Sequence, residues 1–325
     1  MKGPDKMNKH TPIKPPASLL ERANELYDFG AALRGGAPAP APIVDEQTLE
    51  TAPAQPVAPA AAPAAVVASP TPAPRSPTRG TKPVAKVDRE RLLSLNFIDP
   101  YGSVTGLSEE FRIVKRQLLL AARGGKGIDA IPHGERILIC SANPNEGKTF
   151  CAVNLALSMA SEKDNRVLLV DADFAKPSVL ARLGIEGGRG LMDALADPAI
   201  DVEDLVIETD IEGLSILPAG AQTNQDTEYL AASRTAAVLN QLTSHDPSRI
   251  IIFDSPPALA ASPASVLALH VGQAVMVVHA DVTTDSALRD ALSLLSGCEH
   301  IQLLLNRAKF SPTGRKFGNY YGYGA

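Results

Sequence analysis

The chain has little cysteine, no histidine pattern suited to a metal, no excess of positive charge and no apolar run long enough to cross a bilayer. Its three cysteines, Cys140, Cys151 and Cys298, are odd in number, widely spaced and set among apolar residues. That pattern points away from a disulfide framework and predicts core thiols of a cytosolic protein. The histidines at 10, 133, 245, 270, 279 and 300 form no ligand spacing and are assigned no role. A net charge of -5 and a pI near 5.7 give no general basic character, so nucleic acid is not an expected partner. The most apolar later stretch, residues 266–280, is interrupted by His270, Gly272, Gln273 and His279, well short of a spanning helix. At the N-terminus the residues are polar and Pro-containing, which predicts no secretory signal. Association with a membrane is therefore expected to run through a partner.

What is present divides the chain into four parts. Residues 1–35 contain an amphipathic pattern, with Leu19, Leu20, Ala23, Leu26, Tyr27, Gly30 and Leu33 at helical spacing, suited to docking on a partner. Residues 36–85 are dominated by Ala, Pro, Ser and Thr without apolar periodicity, so a disordered, extended linker is predicted. Residues 86–310 are globular in composition, and residues 311–325 form a Gly- and Tyr-rich tail.

Within the globular part the pattern predicts a helix over 107–122 and then alternating units. Strands are expected at 136–141, 166–171, 214–217, 249–254, 273–279 and 301–306. Helices are expected at 148–161, between about 176 and 207, and at 226–243, 262–270 and 283–297. Continuous apolar strands separated by helices predict an α/β fold, a mostly parallel sheet with helices on both faces. A ligand then sits at the carboxyl ends of the strands.

Residues 142–149, Ala-Asn-Pro-Asn-Glu-Gly-Lys-Thr, follow one such strand and open a helix. They describe a phosphate-binding loop, in which backbone N–H groups face phosphates, Lys148 reaches the β and γ oxygens and the Thr149 hydroxyl ligates Mg²⁺. Asn145, Glu146, Gly147 and Phe150 complete the nucleotide-binding stretch. Ala142 stands where the pattern has its first glycine, so the loop must turn there without a residue free to adopt positive φ. The run Val167-Leu168-Leu169-Val170-Asp171-Ala172-Asp173 places two carboxylates at a strand end beside the loop, where they can hold metal, accept a proton or cap the next helix. Ile250-Ile251-Ile252-Phe253-Asp254 has the form of a Walker B strand whose carboxylate serves Mg²⁺. Asn306, ending the last strand, is placed near the nucleotide base as in related P-loop ATPases.

Taken in chain order, residues 141–150, 167–177 and 254–257 resemble the bacterial tyrosine autokinases of exopolysaccharide export, and within them the stand-alone cytoplasmic, exosortase-associated form. The resemblance implies a P-loop NTPase fold and ATP with Mg²⁺ as cofactors. It also implies Lys148 and Thr149 as nucleotide and metal ligands, Asp254 as an aid to the metal, Asp171 as base or orienting group, and Asp173 on the metal side. Where the family often has two basic residues after the paired aspartates, this chain has Phe174-Ala175-Lys176. Glu109, Arg112 and Lys115 resemble the family's helix that joins subunits into a ring, with Lys115 in the last place. Activation by a membrane chain-length regulator is the implied partnership, with location in the cytoplasm and peripheral to the inner membrane.

Three of the six tyrosines, Tyr320, Tyr321 and Tyr323, lie in the last six residues, where glycines suit a flexible tail carrying accessible hydroxyls. Beside the resemblance they are the expected sites of autophosphorylation, in trans within an oligomer. Two other readings stay open. A ParA- or MinD-like positioning ATPase shares the loop and the aspartate strands, but usually carries a second lysine where this chain has Asn143. A nucleotide-binding adaptor without kinase activity is the other.

Overall fold

A computed structural model describes residues 83–309. The expected N-terminal amphipathic helix, nearly all of the expected linker and the tail tyrosines lie outside the described residues. Elements follow in the order α1 (Arg89–Ser94), α2 (Gly106–Arg123), β1 (Arg136–Ser141), α3 (Lys148–Ala160), β2 (Arg166–Asp171), α4 (Val179–Leu183) and α5 (Leu191–Ala196). A 3₁₀ turn (Val202–Leu205), β3 (Ile207–Glu208), β4 (Leu214–Leu217), α6 (Asp226–Ala231) and α7 (Ser233–His245) come next. The chain continues through β5 (Arg249–Asp254), α8 (Pro263–Ala268), β6 (Gln273–His279), α9 (Asp285–Leu294) and β7 (Ile301–Asn306).

The seven strands form one sheet in the order β3-β4-β2-β5-β1-β6-β7. All neighbours are parallel except the β3–β4 pair. Strands β1 and β5 are buried along their whole length, because the period-2 alternation of a pleated strand sends successive apolar residues into two separate cores. Ile137, Ile139, Val167 and Leu169 pack with α1 to α4 on one face. Leu138, Cys140, Leu168 and Val170 pack with α5 to α9 on the other. The order matters for chemistry: β5 lies between β1 and β2, so the ends of all three strands converge.

Three departures from the periodicity have local causes. The expected helix over 226–243 is two helices, broken at Ala232, whose ψ of 151° is extended. Arg234 explains the break, since its guanidinium donates to the carbonyls of Ala194 at 2.7 Å and Asp197 at 3.0 Å and draws the start of α7 onto the end of α5. The short helix α1 and the two-residue β3 were not expected at all, being below the length at which periodicity is readable. At the amino edge of the sheet, Arg249 is buried and forms a two-pronged pair with Glu203, at 2.5 and 3.2 Å.

Removing one partner of a buried ion pair strands the other charge in a low dielectric. Glu203→Ala is expected to lower unfolding stability by about 3 kcal/mol or more, read by chemical denaturation; a loss under about 1 kcal/mol contradicts this view of the amino edge.

Candidate nucleotide and phosphoryl-transfer site

Residues 142–149 connect the end of β1 to the start of α3. Ala142 is fully buried, and its carbonyl accepts the Leu259 N–H at 3.2 Å while Ser141 accepts that of Ala258 at 2.8 Å. The two prolines after β5 thus hold the segment that ties down the root of the loop. No positive φ is needed at Ala142, because the turn is made later, at Asn145 (φ 65°) and Gly147 (φ 99°). Asparagine tolerates the left-handed region better than most residues and glycine freely. A Cβ on Gly147 would also lie 2.1 Å from the Asn306 side-chain nitrogen, so a side chain there would displace Asn306, while the positive φ is what favours glycine.

The side chains expected at the site separate into distinct roles. Lys148 Nζ donates to Asp173 Oδ2 at 2.9 Å, and the other oxygen of Asp173 accepts the Lys176 N–H at 3.2 Å. Asp171 lies level with Asp254 across the β2–β5 pair. Its Oδ2 accepts the N–H groups of Ser178 at 2.8 Å and Val179 at 2.9 Å, so it holds the start of α4. Burial pushes its pKa up to about 6, against the pull of those backbone donors.

Asp254 is 0% exposed, and neither of its carboxylate oxygens has a hydrogen bond among the described residues. Burial raises its pKa to about 7; Lys148 and the Thr149 hydroxyl pull it down, while Asp171 and Asp173 push it up. A carboxylate buried this deeply is costly to keep ionised, and a cation is the natural complement. Thr149 is itself buried, in the first turn of α3. No group of three or more His, Cys, Asp or Glu suited to a metal is present among the described residues. Mg²⁺ does not need one, since it commonly takes one or two carboxylates with substrate phosphates and water. The donors here, Thr149 and the orphaned Asp254, fit that pattern. Asp173, engaged with Lys148, stands beside it.

Other expected residues are placed as follows. The Phe150 ring stacks on Phe97, centroids 5.5 Å apart, leaving only its main chain for the nucleotide. Asn306 Nδ2 donates to the Glu146 carbonyl at 2.9 Å. Both oxygens of the Glu146 side chain are engaged by Asn143 and Thr283, and Thr283 was not expected at the site. Phe174 is in the core, which accounts for an apolar residue where a basic one is usual. The thiols of Cys140 and Cys151 are buried and raised to about 11 and 12, as suits inert core residues.

One expectation is corrected. Lys115 does not share an exposed face with Glu109 and Arg112. It sits four residues after Phe111 on the buried stripe of α2, 4% exposed. Its ammonium meets the Ser158 carbonyl at 2.7 Å and Glu162 at 3.0 Å, offsetting the negative end of α3. Glu109 and Arg112 pair with each other.

Residues 136–308 match the sequence profile of a family described as an AAA domain. Among curated relatives, the tyrosine-protein kinase YwqD of Bacillus subtilis is 28% identical over 66% of this chain and 86% of its own length. Tyrosine-protein kinase Wzc of Salmonella typhimurium is also 28% identical, over 58% of this chain but only 26% of its own length. Among solved structures, the kinase domain of the Escherichia coli tyrosine kinase ETK superposes with a TM-score of 0.54 at 21% identity, covering 74% of this chain and 94% of that domain. This last likeness concerns the fold.

The Asp254 shift fixes a pH dependence for the protein free of nucleotide and metal. Its folded pKa, about 7, exceeds the unfolded value near 3.8, so the native state holds the extra proton and stability falls as pH rises between those limits, by up to about 1.4 kcal/mol per pH unit. Asp254→Asn is expected to be more stable than wild type at pH 8 and indistinguishable near pH 4, by denaturation in chelator. Equal stability at both pH values contradicts the assignment of a buried, undercompensated carboxylate.

Proposed function

The chain belongs to the AAA-domain family through residues 136–308, and we propose that it is an ATP- and Mg²⁺-dependent protein-tyrosine kinase whose own tail tyrosines are substrates. The observation that carries the reading is the meeting of Lys148, Thr149, Asp171, Asp173 and Asp254 at the root of the loop, in a chain whose relatives include proteins named tyrosine kinases over most of their length. Its resemblance in motif to tyrosine autokinases and the cluster Tyr320, Tyr321 and Tyr323 supply the acceptor.

Phosphoryl transfer of this kind is mostly placement and charge neutralisation. Lys148 and the loop amides hold the phosphates, the phosphates displacing Asp173 as partner of the lysine. Thr149 and Asp254 would hold Mg²⁺, which supplies charge stabilisation on the β and γ oxygens when bound. Asp171, raised toward neutrality by burial, orients the tyrosine hydroxyl and takes up its proton. A phenol near pKa 10 needs such an acceptor close by.

Each phosphotyrosine adds roughly -1.5 to -2 charges, enough to drive the tail out of a carboxylate-rich site. Activation by a membrane chain-length regulator of exopolysaccharide export belongs to the same proposal, with the protein acting from the cytoplasm against the inner membrane. No described helix is long and apolar enough to cross a membrane. With Lys115 buried, Glu109 and Arg112 are left as the subunit contact. Asn143, committed to Glu146, does not supply the second lysine of the positioning ATPases.

Mixing the Lys148→Ala chain, tail intact, with a chain truncated after Gly318, Lys148 intact, tests the proposal in Mg·ATP. Phosphotyrosine on the Lys148→Ala tail is expected by mass spectrometry, and neither chain alone should be labelled. Steady phosphate release from wild type without any protein label, repeated with a membrane activator present, overturns the kinase in favour of the positioning ATPase.

A further inference from the structure

Glu146 lies inside the phosphate loop, yet its side chain is built into the protein. It is 2% exposed, and among the described residues no lysine or arginine pairs with it. Three donors compensate its charge. The Asn143 N–H reaches Oε2 at 3.0 Å, while the Asn143 side-chain amide and the Thr283 hydroxyl reach Oε1 at 3.2 and 2.5 Å. Two of these come from the loop itself. The third comes from the turn between β6 and α9, 137 residues further along the chain.

The hydroxyl of Thr283 has its polarity set on both sides. Its oxygen accepts the His279 N–H at 2.9 Å, and the carboxylate can only accept, so the hydroxyl proton points at Glu146. Thr283 in turn is held by its own N–H on the His279 carbonyl at 3.0 Å. The next strand braces the same residue: His279 is level with Asn306 on β7, and Asn306 donates to the Glu146 carbonyl. Side chain and main chain of Glu146 are therefore gripped by the turn after β6 and by the end of β7. The two residues that follow are Gly147, in the left-handed region, and Lys148.

We propose that Thr283 is a positioning residue for the phosphate loop, acting through Glu146. Without its proton the buried carboxylate keeps only donors that move with the loop, and among the described residues nothing outside the loop fixes the Glu146 side chain. The loop then loses the alignment of amides that binds phosphate, although no group touching the nucleotide has changed. This inference rests on the nucleotide-binding reading of residues 142–149, and it needs no phosphoryl transfer.

The test is ADP affinity with Mg²⁺, by titration calorimetry, in wild type, Thr283→Val and Thr283→Ser. Valine keeps the shape and removes the donor. The dissociation constant is expected to rise on the order of tenfold, and serine, which restores the donor, to return it to within about threefold of wild type. Thr283→Ala, which adds no bulk at a half-exposed position, gives the same readout should the valine variant fold poorly. Wild-type affinity in Thr283→Val or Thr283→Ala overturns the inference, as does a serine variant as weak as valine, which would make the role one of packing. Failure of wild type itself to bind ADP is a separate result, overturning the nucleotide reading and this inference with it.

Discussion

The structure depends on one unsettled charge, the carboxylate of Asp254. It ends the strand between β1 and β2, is fully buried, and among the described residues no hydrogen bond of ordinary geometry reaches its oxygens, the Thr149 hydroxyl being its nearest polar support. Such a group weakens the isolated fold, and its neighbours are arranged around the deficit. Lys148 lowers its pKa without bonding it, being bonded to Asp173 instead. Asp171, level with it, has one oxygen engaged by the backbone at the start of α4. One lysine thus serves two carboxylates, Asp173 and Asp254, and a metal cation bound with phosphate would offset the remaining negative charge while giving the lysine a stronger partner.

The parallel order of the sheet makes this concentration of charge possible. Placing β5 between β1 and β2 brings the loop after β1, the paired aspartates after β2 and Asp254 to one edge, with apolar cores above and below. The prolines after Asp254 extend the arrangement, since the segment they govern hydrogen-bonds to Ser141 and Ala142. In chemical terms the result is a preorganised holder of fixed charges and backbone amides.

The central strands were legible because continuous apolar runs ending in aspartate can hardly be anything else in a chain of this pattern. Strand limits at 136–141, 166–171 and 249–254 match the observed ones. The loop was legible by its order of residues, but where it turns was not: positive φ at Asn145 and Gly147 replaced the strain expected at Ala142. Lys115 was grouped with Glu109 and Arg112 on the strength of a resemblance and an interval of three, whereas its spacing of four from Phe111 carried the signal of burial. The break between α6 and α7 has no proline or glycine to announce it, being made by Arg234 reaching carbonyls about 40 residues away. Thr283 was invisible for the same reason. Contacts between distant polar side chains leave no local periodicity, and their chemistry becomes readable only once the sheet has brought them together.

The most direct test of this account is the effect of Mg²⁺ on ADP affinity, compared between wild type and Asp254→Asn. If the orphaned carboxylate is the metal's protein ligand, Mg²⁺ tightens binding in wild type and most of that gain, on the order of tenfold or more, disappears in the variant. An equal gain from Mg²⁺ in both proteins would contradict it, and would leave the burial of Asp254 without a purpose in the site.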